Sequence, residues 1–279
     1  MLNTTIDWFI TNKCASESCP FCYAPRGIFS EDATLLEAVK ICEKIGEKGF
    51  SQITLCGGEP LLYPHIIDIV KKLNSMNIGI VFHVGTEIDR VMEITDYIKM
   101  ISLPIEAMSA ENQRQLRGIK LHDDVFKLLN KLRSASSRPR VKIGTVVNAI
   151  NIHEIENIFY ELIKYDDIID IWRLYMFSPC GIGKLDEKRL LISATEFANC
   201  ISKVIYLCEE NQTRFKYSYR SREANKGYCL IMDSKGHFYR YEEEYIRLDI
   251  TIHDTYNSII GKYDIDKHIA QKKWLMSNL

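Results

Sequence analysis

Three cysteines, Cys14, Cys19 and Cys22, fall within nine positions of the stretch NKCASESCPFCYAPRG (12–27), while the other six of the nine are scattered along the chain. An odd number of thiols with no sign of secretion argues against a disulfide framework. Reduced cysteines are expected, and the clustered three are read as metal ligands or a nucleophile. Three thiolates on one loop suit zinc or an iron–sulfur cluster. A structural zinc site closes with four protein ligands, yet no fourth Cys or His stands beside these three, the next candidates being Cys42 and Cys56. A cluster held by three cysteines leaves one iron open to an outside ligand.

The elements that must position this loop follow from the hydrophobic pattern. With 279 residues and 46% hydrophobic content, the chain can build one large domain or a domain with a small appendix. A net charge of -1 leaves no electrostatic footprint for a nucleic acid polymer or an anionic membrane. No early stretch reads as a secretory signal and no apolar run is long enough to span a bilayer, so a soluble, cytoplasmic protein is expected. Apolar runs at 4–11, 51–60 (ending in a glycine turn), 78–87, 99–107, 140–150 and 168–177 read as strands. Between them, 31–49, 65–77, 88–98, 122–135 and 152–165 read as helices. This alternation indicates βαβ units and a parallel sheet. Six strands are too few to close an eight-stranded barrel, so the expected fold is α/β, an open partial barrel over 1–185. Residues 186–279 read as an extension covering it, with a helix at 193–212 and a hairpin at 228–241 turning at Ser234, Lys235 and Gly236.

The cysteine loop begins just past the C-terminal end of the first strand, the edge where parallel α/β sheets carry their chemistry. A cysteine-rich loop there, followed by CGGEP (56–60) after the second strand, resembles the radical S-adenosylmethionine (SAM) superfamily over roughly the first 180 residues. The spacer Ala15 to Ser18 is one residue longer than the family's commonest loop. The resemblance implies a partial (β/α)6 barrel and a [4Fe–4S] cluster on Cys14, Cys19 and Cys22. It also implies reductive cleavage of SAM to a 5′-deoxyadenosyl radical that takes hydrogen from a substrate. In the same reading Gly57 and Gly58 let the backbone approach the methionyl group, and Glu59 pairs with its ammonium. Phe21 lies beside the adenine; Ser102, Arg117 and Asn148 reach ribose or carboxylate; and an electron donor such as flavodoxin or ferredoxin supplies the electron. The order of the later segments resembles the small viperin-like branch, which acts on nucleotides. Family members that modify peptides or biosynthetic small molecules are the runner-up.

Blander readings compete at several positions. Cys42, Cys200 and Cys208 sit on apolar helix faces and read as core. Cys180 and Cys229 lack the close partners of an auxiliary cluster, so one cluster is expected. The basic and aromatic run RFKYSYRSR (214–222) reads as a solvated face or a phosphate contact. From other classes, a non-catalytic iron–sulfur or zinc module would need a fourth protein ligand, and a methyltransferase without radical chemistry would leave the cysteine loop without a role.

Overall fold

The computed structural model describes residues 4–16, 19–24, 29, 31–118, 122–225 and 229–276. In chain order the first elements are β1 (Thr5–Thr11), α1 (Leu35–Glu47), β2 (Gln52–Gly57), α2 (Ile66–Ser75), β3 (Gly79–His83) and β4 (Met100–Pro104). Next come α3 (Ala110–Arg117), α4 (His122–Arg133), β5 (Arg140–Val147), α5 (Ile155–Leu162), β6 (Ile171–Met176), α6 (Glu187–Leu190), α7 (Ala194–Glu210) and β7 (Lys216–Arg220). The chain ends with β8 (Leu230–Met232), β9 (His237–Tyr241), β10 (Tyr245–Thr251), α8 (Tyr256–Ile260) and α9 (Ile265–Met276). Two compact units result: one of Met1–Ala15, Ala24–Ile101 and Ala224–Leu279, the other of Ser16–Tyr23 and Ser102–Glu223. This division differs from the expected one at residue 185, because the C-terminal strands belong with the N-terminal ones.

In the first unit the strand order is β10-β9-β8-β1-β2-β3, with the start of β4 beyond β3. β1, β2 and β3 run parallel, and Thr11 at the end of β1 lies in register with Gly57 at the end of β2. That register sets the start of the cysteine loop beside the glycine turn. Helix α1 opens on a capping box between Thr34 and Glu37 and buries Ala38, Ile41, Cys42 and Ile45 along one stripe. The hairpin turns over Asp233 to Gly236 as expected, with the Asp233 carboxylate accepting from the Lys235 and His237 amides. It extends the sheet: β8 pairs parallel with β1 and antiparallel with β9, which pairs with β10. Residue 228 of that expected hairpin lies outside the described residues.

One expected helix is absent. Residues 88–98 form two 3-10 turns, Ile88–Glu93 and Thr95–Tyr97. Ile88, Val91 and Ile94 are buried at a spacing of three, which suits the three-residue 3-10 turn better than an α-helix, and no side chain caps the start.

In the second unit β5, β6 and β7 run parallel next to β4. Strand β7 comes from the run 214–222, so that stretch is an additional strand. One face of this sheet is apolar: Ile143, Val147, Leu174 and Met176 are buried there, with the Trp172 indole donating to Thr145 Oγ1 at 3.1 Å. Phe159 of α5 lies 6.4 Å from the Trp172 ring. The opposite face carries Lys142, Gly144, Arg173, Tyr175, Ser218 and Arg220, because side chains alternate along a strand. No single helix among the described residues is long and apolar enough to cross a membrane.

Candidate active site

Within the first unit the glycine turn is built against the lead-in to Cys14. The Gly58 amide donates to Thr11 O at 2.8 Å and the Glu59 amide to Lys13 O at 2.6 Å. A β-carbon on Gly57 would stand 2.4 Å from Thr11 O, and one on Gly58 would stand 2.2 Å from Lys13 O. Gly57 also has φ +146°, where a side chain is strained. The close approach that requires glycine at both positions is therefore to the chain's own residues 11–13. Glu59, with no exposed surface, is committed to protein donors. Its Oε1 accepts from Leu61 N at 3.1 Å; its Oε2 accepts from Gly85 N and Thr86 N, both at 2.7 Å, and from Thr86 Oγ1 at 3.3 Å. Burial raises its pKa against the downward pull of those amides. The carboxylate thus ties the turn after β2 to the loop after β3, and Oε1, with one donor, keeps the more acceptor capacity.

The second unit holds Cys19 and Cys22 on one tight turn, closed by Cys22 N donating to Cys19 O at 3.1 Å. Phe21 packs inward with Cys19, Ala107, Leu116, Phe177 and Leu190. The Arg117 guanidinium lies 5.0 Å from the Phe21 ring centroid. Arg117 is held by Glu106, its Nη2 donating to Glu106 Oε1 at 2.6 Å, while Glu106 Oε2 accepts from Val146 N at 2.7 Å. Burial pushes the Glu106 carboxyl up against the pull of Arg117; for Arg117, burial is outweighed by Glu106, Cys19 and Cys22, which raise its pKa and keep it charged. Nothing in the sequence distinguished Glu106 or Gly183. The Gly183 amide donates to Cys22 O at 3.0 Å, and a β-carbon there would meet the Phe177 ring at 3.1 Å.

Farther along the same unit, Ser102, Gly144 and Tyr175 adjoin one another. A β-carbon at Gly144 would lie 3.5 Å from Tyr175 Cε2 and 4.0 Å from Ser102 Oγ. Lys142 is 2% exposed and Arg173 5% exposed, and the Arg173 guanidinium lies 5.4 Å from the Tyr175 ring centroid. Desolvation pushes the Tyr175 phenol up, yet Lys142, Arg173 and Arg220 together with a hydrogen bond from Lys142 bring it down to about 8. These cations favour the phenolate form of Tyr175. Asn148, expected in the pocket, is buried in its own turn: its Nδ2 donates to Val146 O at 2.8 Å and its Oδ1 accepts from Ile150 N at 3.0 Å. It ends β5.

The ten expected site residues therefore divide. Cys14, Gly57, Gly58 and Glu59 lie in the first unit, and Cys19, Phe21, Cys22, Ser102, Arg117 and Asn148 in the second. Among the described residues no three His, Cys, Asp or Glu side chains converge closely enough to hold a metal ion. All nine cysteines are thiols rather than disulfides. Burial pushes the Cys42 thiol up to about 12 and Cys200 to about 11, as befits packing residues.

Replacing Glu59 tests its loop-tying role. Glu59→Ala leaves several buried amides without an acceptor and is expected to lower stability by about 3 kcal/mol in a denaturant titration. Glu59→Gln, which keeps one oxygen acceptor, should lose less. A Glu59→Ala protein that unfolds at the wild-type midpoint would show that the carboxylate does not hold the loop.

Residues 8–162 match the Radical SAM superfamily. An S-adenosylmethionine-dependent nucleotide dehydratase of Flammeovirga pacifica is 24% identical over 278 residues, covering 91% of this chain and 89% of the relative. A GTP 3′,8-cyclase of Clostridium botulinum is 25% identical over 238 residues, covering 81% and 73%. In fold, the chain is similar to Streptococcus suis SuiB bound to precursor peptide SuiA, with TM-score 0.71, 12% identity, and 95% of this chain and 65% of SuiB covered. The chain thus spans about two thirds of the length of that structure. A match over more than half of its length, on an α/β fold of the partial-barrel kind, places this chain in the radical SAM superfamily, as an enzyme whose cofactors are a [4Fe–4S] cluster and SAM.

Proposed function

We propose that the chain is a radical SAM enzyme whose substrate is a nucleotide, with Cys14, Cys19 and Cys22 as the cluster ligands. The donor chemistry fits such a group: three thiols with no fourth nearby in sequence, Cys19 and Cys22 sharing one turn beside the Arg117 cation, and an Arg117 Nε that has no hydrogen-bond partner among the described residues. When bound, the cluster and SAM supply a 5′-deoxyadenosyl radical by reductive cleavage. The protein's residues bind and orient. Gly57 and Gly58 fix the lead-in to Cys14, and Glu59 Oε1 has capacity for the SAM ammonium. Arg117 offers a cation to the SAM carboxylate, Ser102 a hydroxyl to ribose, and Phe21 an apolar edge. Asn148 acts through the shape of the turn it closes. An electron donor of the flavodoxin or ferredoxin type and a cytoplasmic setting belong to the same reading.

The observation that supports the nucleotide is the row of basic residues on one face of β5, β6 and β7. Lys142, Arg173 and Arg220 stabilise negative charge at Tyr175, and phosphate is the anion that Arg and Lys recognise best. A peptide substrate has no comparable need for three cations at one point. Two relatives whose names contain a nucleotide, a dehydratase and a GTP cyclase, support the same class.

Anaerobically reconstituted protein with dithionite and SAM is expected to form 5′-deoxyadenosine faster with a nucleoside triphosphate than with the nucleoside. Arg173→Gln should weaken triphosphate binding roughly 10- to 100-fold, the worth of one charge-assisted bond, and leave nucleoside binding unchanged. Affinity should fall as pH rises through about 8, because the Tyr175 phenolate then competes for the cations, and Tyr175→Phe should remove that fall. Equal stimulation by nucleoside and triphosphate would rule the phosphate contact out. Iron and sulfide analysis tests the ligands: Cys14→Ala, Cys19→Ala and Cys22→Ala should each lose the cluster, and Cys180→Ser with Cys229→Ser should keep it.

A further inference from the structure

Ser16 lies inside the lengthened spacer between Cys14 and Cys19 and is 3% exposed. Its hydroxyl donates to Arg117 O at 2.9 Å and stands 3.0 Å from Cys19 Sγ. Arg117 is the last residue of α3, so its carbonyl is one of those a helix end leaves without an intrahelical donor. Ser16 supplies that donor and pins the spacer to the helix. A hydroxyl has one proton and two lone pairs. With Cys19 as a thiol, both contacts are satisfied at once: the Ser16 proton goes to the Arg117 carbonyl, and the thiol proton goes to the Ser16 oxygen.

Ligation removes the thiol proton. The sulfur then becomes an anionic acceptor 3.0 Å from the same hydroxyl, and a charge-assisted bond is stronger than one to the neutral Arg117 carbonyl. We propose that Ser16 is a positioning residue for the cluster: it turns its proton to the Cys19 sulfur when iron is bound, and by that bond raises the cluster's reduction potential. A donor to a ligand sulfur stabilises the more negative, reduced cluster over the oxidised one. This rests on the reading of Cys19 as a ligand. The longer spacer gains a role from it, since the hydroxyl comes from within the spacer itself.

The test is a redox titration of the reconstituted full chain without SAM, followed by electron paramagnetic resonance of the reduced cluster. Ser16→Ala should hold as much iron and sulfide as wild type and titrate at a more negative potential. Ser16→Thr, which keeps the hydroxyl, should stay near wild type. A wild-type potential in Ser16→Ala overturns the proposal, and so does loss of iron from both Ser16→Ala and Ser16→Gly, which would leave Ser16 a structural pin alone. Iron analysis of Cys19→Ala separates the two readings. A full cluster in that variant removes the ligand assignment, whereas a lost cluster together with an unshifted Ser16→Ala potential removes only the role of Ser16.

Discussion

Positive charge gathered on one face of strands β5, β6 and β7 is the constraint on which the second unit is organised. Burying cations costs free energy unless something nearby compensates them. Here Lys142 and Arg173 rise from adjacent strands beside Arg220, and together they draw a phenol down to about 8 in spite of its burial. The sheet bears this because its other face is apolar and packed under α5 and α7, with Trp172, Phe159 and Val204 buried there. Gly144 brings no side chain into the charged row, which leaves room beside Ser102 and Tyr175. Hydrophobic packing on one face of these strands holds the charged row of the other face in place.

A second constraint acts in the first unit, where backbone meets backbone. The turn of Gly57 and Gly58 abuts Thr11, Asn12 and Lys13 at distances that admit no side chain, and Glu59 extends the clamp to the loop of Gly85 and Thr86. The residues before Cys14 are thereby fixed by their own chain before any ligand arrives. Pre-organisation of this kind spares a cofactor site the entropy of ordering its loop on binding.

Much of this was legible in the sequence where the signal is local. Up to residue 177 the strands and all helices but α3 follow from apolar periodicity, save at 88–98, where a spacing of three makes 3-10 turns instead of the expected helix. The cysteine spacing and the CGGEP turn pointed to the family, and Ser234 to Gly236 marked the hairpin. The exceptions depend on long-range pairing. That β8 would join β1 is set by contacts more than two hundred residues apart in sequence, and no composition encodes it. Nothing in the sequence sets Glu106 or Lys142 apart from other charged residues, because their burial is set by the fold. Glu59 and Asn148 are of types that suit ligand contacts, and the structure commits much of their bonding to neighbouring backbone.

The positive field itself is open to direct measurement. Ultraviolet difference titration of the wild type against Tyr175→Phe isolates one phenol, with the rest of the absorbance cancelling. The phenol is predicted to ionise near pH 8, and a bound nucleoside triphosphate, by neutralising the surrounding cations, to move that ionisation to higher pH. A Tyr175 that titrates near the ordinary tyrosine value of about 10, or one that triphosphate leaves unmoved, would contradict an anion site on this face.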